Sequence, residues 1–149
     1  MSSVIFICTG NTCRSPMAAA LAVEMFKREG INISVSSAGV SAYSGSSASR
    51  NAILAMEQEK ICLTNHKSQA AQLEILQNTA LVLTMTRAHL AHVKTACPAA
   101  NAFTLGEYAD TLMDISDPFG GNLEEYCTCA SQIKNLLSLC LEKFKTLGV

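Results

Sequence analysis

Residues Val4 to Pro16 read V-I-F-I-C-T-G-N-T-C-R-S-P, and the way this stretch must be built decides the fold. Val4 to Ile7 is a short apolar run of β-branched and aromatic residues, suited to a strand buried on both faces of a parallel sheet. The chain must then turn. Gly10 and Asn11 tolerate positive φ, Ser15 is a good helix N-cap, and Pro16 suits the first helical position, where a missing N–H costs nothing. Strand, tight loop and helix start therefore follow one another. Such a loop gathers consecutive backbone N–H groups into a concavity at the positive end of a helix, and that arrangement binds a tetrahedral oxyanion.

This loop opens with Cys8 and closes with Arg14. No lysine follows the glycine, so the nucleotide-binding pattern G-x-x-x-x-G-K-[ST] fails on residue identity. In this geometry the Cys8 sulfur sits at the bottom of the nest formed by Thr9, Gly10, Asn11, Thr12 and Cys13. Amide dipoles, the helix start and the Arg14 guanidinium there all favour thiolate, the nucleophilic form. Arg14 offers a planar fork that clamps two phosphoryl oxygens and stabilises their charge in the transition state. A buried structural cysteine beside a surface arginine would leave Gly10, Asn11, Ser15 and Pro16 as coincidences.

At 149 residues and 49% hydrophobic composition the chain can bury one sizeable core, and residues 1–149 read as a single domain. A net charge of −1 without a basic run argues against a nucleic-acid partner, and no apolar stretch spans a membrane. No secretory signal is evident, and seven cysteines is an odd number, so reduced thiols in a cytoplasmic location are expected. Cys127 and Cys129 diverge on a helix and make no zinc pair. His89 and His92 read as solvated or capping residues, and neither a metal nor a cofactor is expected.

Along the chain, Ala18, Leu21, Ala22 and Met25 keep helical spacing up to Gly30, and Ile33 to Ser37 alternates as a second strand. Ser41 to Ser49 is a loop ending in an N-cap, followed by a helix from Ala52 to Gln58. Gln69 to Asn78 reads as a short helix, Leu81 to Thr84 as a third strand, Arg87 to Val93 as a helix before Cys97-Pro98, and Ala102 to Thr104 as a fourth strand. From Leu123 to Phe144 one long apolar stripe belongs to the core. Alternating strands and helices imply an α/β fold of parallel βαβ units. The loop from Asp110 to Gly121 leaves the fourth strand on the side where Cys8 to Ser15 emerges. It offers Asp110, Asp114 and Asp117 as acids for protonating a leaving group. Asp117 precedes Pro118, which holds its backbone extended.

The segment C-T-G-N-T-C-R-S-P resembles the low-molecular-weight protein tyrosine phosphatase signature, C-x5-R followed by Ser. The likeness continues through S-S-A-G-V at Ser36 to Val40, L-V-L-T-M-T at Leu81 to Thr86 and D-P-F-G-G at Asp117 to Gly121, so it covers essentially the whole chain. It implies a three-layer, flavodoxin-like sandwich on a four-stranded parallel sheet of order 2-1-3-4. It also implies Cys8 as nucleophile, Arg14 as phosphoryl clamp and Asp117 as general acid. In the family's pattern Ser15 donates to the Cys8 sulfur, and Asn11 with Ser36 or Ser37 braces the loop. Phosphorylated proteins would be the substrates, reacting through a phosphocysteine intermediate to release inorganic phosphate.

Within the family, Thr12 resembles the bacterial protein-arginine phosphatases, whereas tyrosine phosphatases usually carry a bulky aliphatic residue there. A small hydroxyl leaves room and a polar contact beside a guanidinium. Phe119 could stack on a tyrosine ring or on a guanidinium and does not discriminate. The expected activity is phosphoarginine hydrolysis, with phosphotyrosine hydrolysis as the alternative. A thioredoxin-coupled arsenate reductase would need a resolving cysteine pair where Met85, Thr86 and Arg87 stand. A noncatalytic binding module would not need Cys8, Arg14 and Asp117 together, and a redox sensor would use Cys8 and Cys13. The short spacing of those two cysteines also suggests an enzyme whose sulfenic acid is captured as a disulfide.

Overall fold

Strand β1 (Ser2–Cys8) sends its side chains alternately into two apolar layers, as its unbroken hydrophobic run requires. Val4 and Phe6 enter one layer, Ile5 and Ile7 the other. The computed structural model describes residues 2–149. β1 pairs in parallel with β2 (Ile33–Gly39) on one side and β3 (Leu81–Thr84) on the other, and β3 pairs with β4 (Ala102–Thr104). The order is therefore β2-β1-β3-β4, and the reversal of direction across the sheet falls at β1 and β3, where the Cys8 loop leaves.

Helix α1 (Arg14–Glu29) packs on one face with α2 (Arg50–Gln58). The other face carries α3 (Leu73–Gln77) and α4 (Arg87–Ala96). After the single turn α5 (Leu105–Tyr108), α6 (Leu123–Leu139) and α7 (Leu141–Leu147) complete the first layer. Phe26 and Phe144 meet edge to face at 5.0 Å inside it. Among the described residues no helix is long and apolar enough to cross a membrane.

Four details depart from the sequence pattern. Ser15 and Pro16 do not begin α1: Cys13 stands at its N-cap with no side-chain cap bond, because the Ser15 hydroxyl is turned beneath the loop. Gly10 is not among the positive-φ residues, and Asn11 alone supplies that conformation in the loop, at φ 56°. The helix expected from Gln69 starts only at Leu73, because Gln69 donates its N–H to Asn11 Oδ1 and Ala70 bridges to Gly39. The apolar stripe from Leu123 to Phe144 is two helices, broken at Cys140 without a glycine or proline to announce it.

Candidate active site

The walls of the site come from β1, the first turn of α1 and the loop before α6. Cys8 ends β1 at 2% exposure, on the floor of a cleft of about 230 Å³ lined by Thr9, Gly10, Thr12, Arg14, Asp117 and Phe119. Ser15 Oγ lies 2.9 Å from Cys8 Sγ. It accepts from Asn11 Nδ2 at 2.8 Å, which leaves its own proton for the sulfur or for the more distant Ala38 carbonyl at 3.4 Å. Asn11 Nδ2 also donates to Ser37 Oγ at 2.9 Å, so Ser37 is the bracing serine. Ser36, the other candidate, is exposed on the opposite face of β2.

Asn11 is fully buried and is held from every side. Its Oδ1 accepts from Gln69, and its carbonyl oxygen meets His66 Nε2 at 2.7 Å. These bonds fix a non-glycine residue in the left-handed region, a conformation that needs external support. Gly39 makes the loop possible from the other side: a Cβ there would stand 2.4 Å from the Thr9 carbonyl oxygen and 2.9 Å from Asn11 N.

Arg14 is 4% exposed. Its Nη1 donates to the Ile115 carbonyl at 2.9 Å, which locks the plane of the guanidinium. Nη2 stands 3.5 Å from Asp117 Oδ2, while Nε is buried without a partner among the described residues. A buried unpaired donor is costly, and a bound phosphoryl oxygen is the acceptor that would satisfy it. Asp117 is half exposed at 52%, and one of its oxygens accepts from the Phe119 N–H at 3.0 Å. The other two acid candidates are engaged elsewhere, Asp110 with Lys143 and Asp114 with Arg87. Of the three carboxylates only Asp117 reaches the cleft.

Thr12 lines the cleft wall, and Phe119 stands 77% exposed at its mouth. The Cys13 thiol is 3.3 Å from Tyr126 Oη and 3.5 Å from Ser49 Oγ. Burial, followed by the Cys13 contact, pushes the Tyr126 phenol up to about 12. Cys97 caps the far end of α4, one ten-residue helix or about 15 Å from its active-site end, too far to act as a resolving thiol for Cys8.

Sequence reasoning did not assign His66, Gly39, Tyr126 or His89 to the site. His89 was read as solvated or capping, yet it is 6% exposed, with Nε2 2.9 Å from Thr9 Oγ1 and Nδ1 3.0 Å from Thr86 Oγ1. Burial and, next, the nearby Arg14 charge lower its pKa to about 4, against the pull of Asp117 and Asp114. The ring is neutral at pH 7.

A strand-loop-helix nest with a cysteine at its base, a buried arginine donor left open and one carboxylate at the rim suits transfer of a phosphoryl group to sulfur. Residues 3–147 match the low molecular weight phosphotyrosine protein phosphatase family. The chain belongs to that family. The phosphatase is 38% identical over 145 residues to a protein-arginine-phosphatase of Bacillus subtilis, covering 95% of this chain and 96% of the relative. It is 31% identical over 135 residues to the low molecular weight protein-tyrosine-phosphatase PtpB of Staphylococcus epidermidis, covering 90% and 93%. Its fold superposes with a TM-score of 0.92 and 36% identity on a cysteine-to-serine mutant of the YwlE arginine phosphatase with a phosphorylated active-site serine, covering 96% and 95% of the two chains. Membership makes the protein a cysteine-dependent protein phosphatase and accounts for the sheet order and the loop.

Proposed function

We propose that the phosphatase hydrolyses phosphoarginine in proteins, with Cys8 as nucleophile, Arg14 as phosphoryl clamp and Asp117 as acid and base. The observation that carries the choice of substrate is Thr12 on the cleft wall, where a small hydroxyl leaves space for a planar guanidinium. The similarity to a protein-arginine-phosphatase supports the same choice.

In the first step the Cys8 thiolate attacks phosphorus, the N–P bond breaks, and its electron pair takes a proton from Asp117. Arginine leaves as guanidinium. The N–H groups of the loop and Arg14 hold the phosphoryl oxygens as their charge shifts. A water molecule then attacks the phosphocysteine, Asp117 accepts its proton, and the S–P bond breaks to regenerate thiolate and release inorganic phosphate. The conjugate acid of the arginine leaving group has a pKa of about 12.5 or more, against about 10 for tyrosine, so proton delivery by Asp117 matters more for phosphoarginine. Seven free thiols fit the reducing cytoplasm.

Single-turnover assays on phosphoarginine and phosphotyrosine proteins test the reading. Phosphoarginine should turn over faster, and Thr12→Ile should reverse the ratio by crowding the guanidinium and giving an aromatic ring an apolar wall. An unchanged ratio in that variant would return the assignment to phosphotyrosine, the reading that the PtpB similarity favours. Cys8→Ser should fold and bind phosphate but show no turnover, and wild-type rates in it would sink the mechanism.

A further inference from the structure

We propose that His89 is a positioning residue that makes the Thr9 hydroxyl a hydrogen-bond donor to the phosphoryl group bound over Cys8. The inference rests on the reading that this cleft receives a phosphoryl group, and it adds a donor from a side chain to those of the loop backbone and Arg14.

Thr9 follows the nucleophile directly, is exposed, and lines the cleft. Its Oγ1 is 2.9 Å from Nε2 of His89, which sits in the first turn of α4. Thr86 Oγ1, the N-cap of that helix, accepts the His89 backbone N–H at 3.2 Å and lies 3.0 Å from His89 Nδ1. A neutral imidazole has one ring nitrogen that donates and one that accepts. If Nδ1 carried the proton, Thr86 Oγ1 would accept twice and its own half-buried hydroxyl proton would have no acceptor. With the proton on Nε2, the Thr86 hydroxyl donates to Nδ1 and Nε2–H donates to Thr9 Oγ1. Every half-buried proton then has an acceptor, the arrangement that protein interiors favour.

The hydroxyl proton of Thr9 is the free end of this chain, and it faces the cleft. Donors arranged head to tail polarise one another, which strengthens the last one. The Asp117 carboxylate in the cleft is already engaged by Arg14 and the Phe119 N–H, and of the groups a substrate brings, a guanidinium offers no acceptor whereas phosphoryl oxygens do. The bond therefore forms to the transferred group, and it strengthens as charge shifts in the transition state. The same donor serves any phosphorylated side chain.

The tautomer is read directly by ¹⁵N NMR of the His89 ring in the wild-type protein at pH 7. A protonated Nε2 with unprotonated Nδ1 is expected, and the opposite tautomer overturns the proposal. Kinetically, Thr9→Val should lower kcat/KM by roughly 10–100-fold on phosphoarginine and on aryl phosphate alike, the worth of one hydrogen bond to a charged group. It should weaken inhibition by inorganic phosphate, and Thr9→Ser should retain both properties. His89→Gln, which keeps an N–H toward Thr9, should retain most activity. His89→Leu should lose as much as Thr9→Val, yet cost nothing further when added to it. Losses that add in the double variant would mean a structural role only and would defeat the idea. Cys8→Ser separates the two levels: turnover there sinks the reading of the site, whereas an inert Cys8→Ser beside a fully active Thr9→Val sinks this proposal alone.

Discussion

The two halves of the catalytic cleft are held in opposite ways. On the nucleophile side, Asn11 is fully buried, its carbonyl, amide oxygen and amide nitrogen are all bonded, and Ser15 and Ser37 are buried beside it. On the acid side, Asp117 is half exposed and is held by a 3.5 Å ion pair and one turn bond to Phe119 N. The fixed half meets what is constant in every turnover, a tetrahedral phosphoryl group. The looser half meets the leaving group, which differs from substrate to substrate. A buried network specifies one geometry, and an exposed carboxylate can adjust to the atom it must protonate.

The contrast predicts where substitutions are felt in rate and where in stability. Asp117→Asn should cut turnover of phosphoarginine by about 10²–10⁴-fold, the worth of general acid catalysis, and that of an activated aryl phosphate far less. Its urea midpoint should stay at the wild-type value, since the residue is exposed. Equal losses on both substrates would remove Asp117 as the acid. Asn11→Ala strikes the other half: it strips a donor from Ser15 and Ser37 and an acceptor from Gln69 N. Chemical denaturation should then show a loss of about 2–4 kcal/mol, together with a large loss of activity. A variant as stable as wild type would show that the network is not what holds the loop.

Gly39→Ala should be milder, costing about 1–3 kcal/mol, because the new methyl meets backbone atoms of Thr9 and Asn11 that cannot step aside. Its phosphate affinity should fall with its stability. The smallest effect concerns pH. His89 titrates near 4 in the folded protein against 6.5 as its ordinary value, so between those limits the unfolded chain binds more protons and stability rises with pH. The His89 contribution is fully present above about pH 6.5 and fades as pH falls toward 4. Between pH 6.5 and 5.5 it should decline by about 1 kcal/mol, seen as a pH slope that wild type shows and His89→Gln lacks. An identical slope in the two proteins would argue against burial as the cause.

β1 and β3 were legible as short apolar runs and β2 by its alternation of apolar and polar residues, and β3 and β4 have the expected ends. Cys8, Arg14 and Asp117 could be singled out because residue type and local spacing carry the chemistry proposed for them, and the structure brings the three to one cleft. Ser15 was misread as a cap because Ser-Pro before an apolar periodicity looks the same whether the hydroxyl turns to the helix or to a sulfur seven residues back. His66, His89 and Tyr126 left no local signal. They reach the loop across 55, 80 and 113 residues: His66 arrives on the connection between α2 and α3, and the packing of α4 and α6 on the sheet brings His89 and Tyr126. Gly39 lies within a recognised motif, yet its reason, the approach of two backbones, exists only once β2 is paired with β1.

The bond from Arg14 Nη1 to the Ile115 carbonyl joins positions 101 residues apart. During synthesis on a ribosome, at about 5–20 residues per second, the nucleophile loop would leave the exit tunnel several seconds before the segment that orients its arginine and delivers its acid. The nascent chain would carry a reactive cysteine without the apparatus to use it. Catalytic competence would then be acquired late, when the chain from Ile115 onward docks, which would protect the translating cell from a half-built phosphatase.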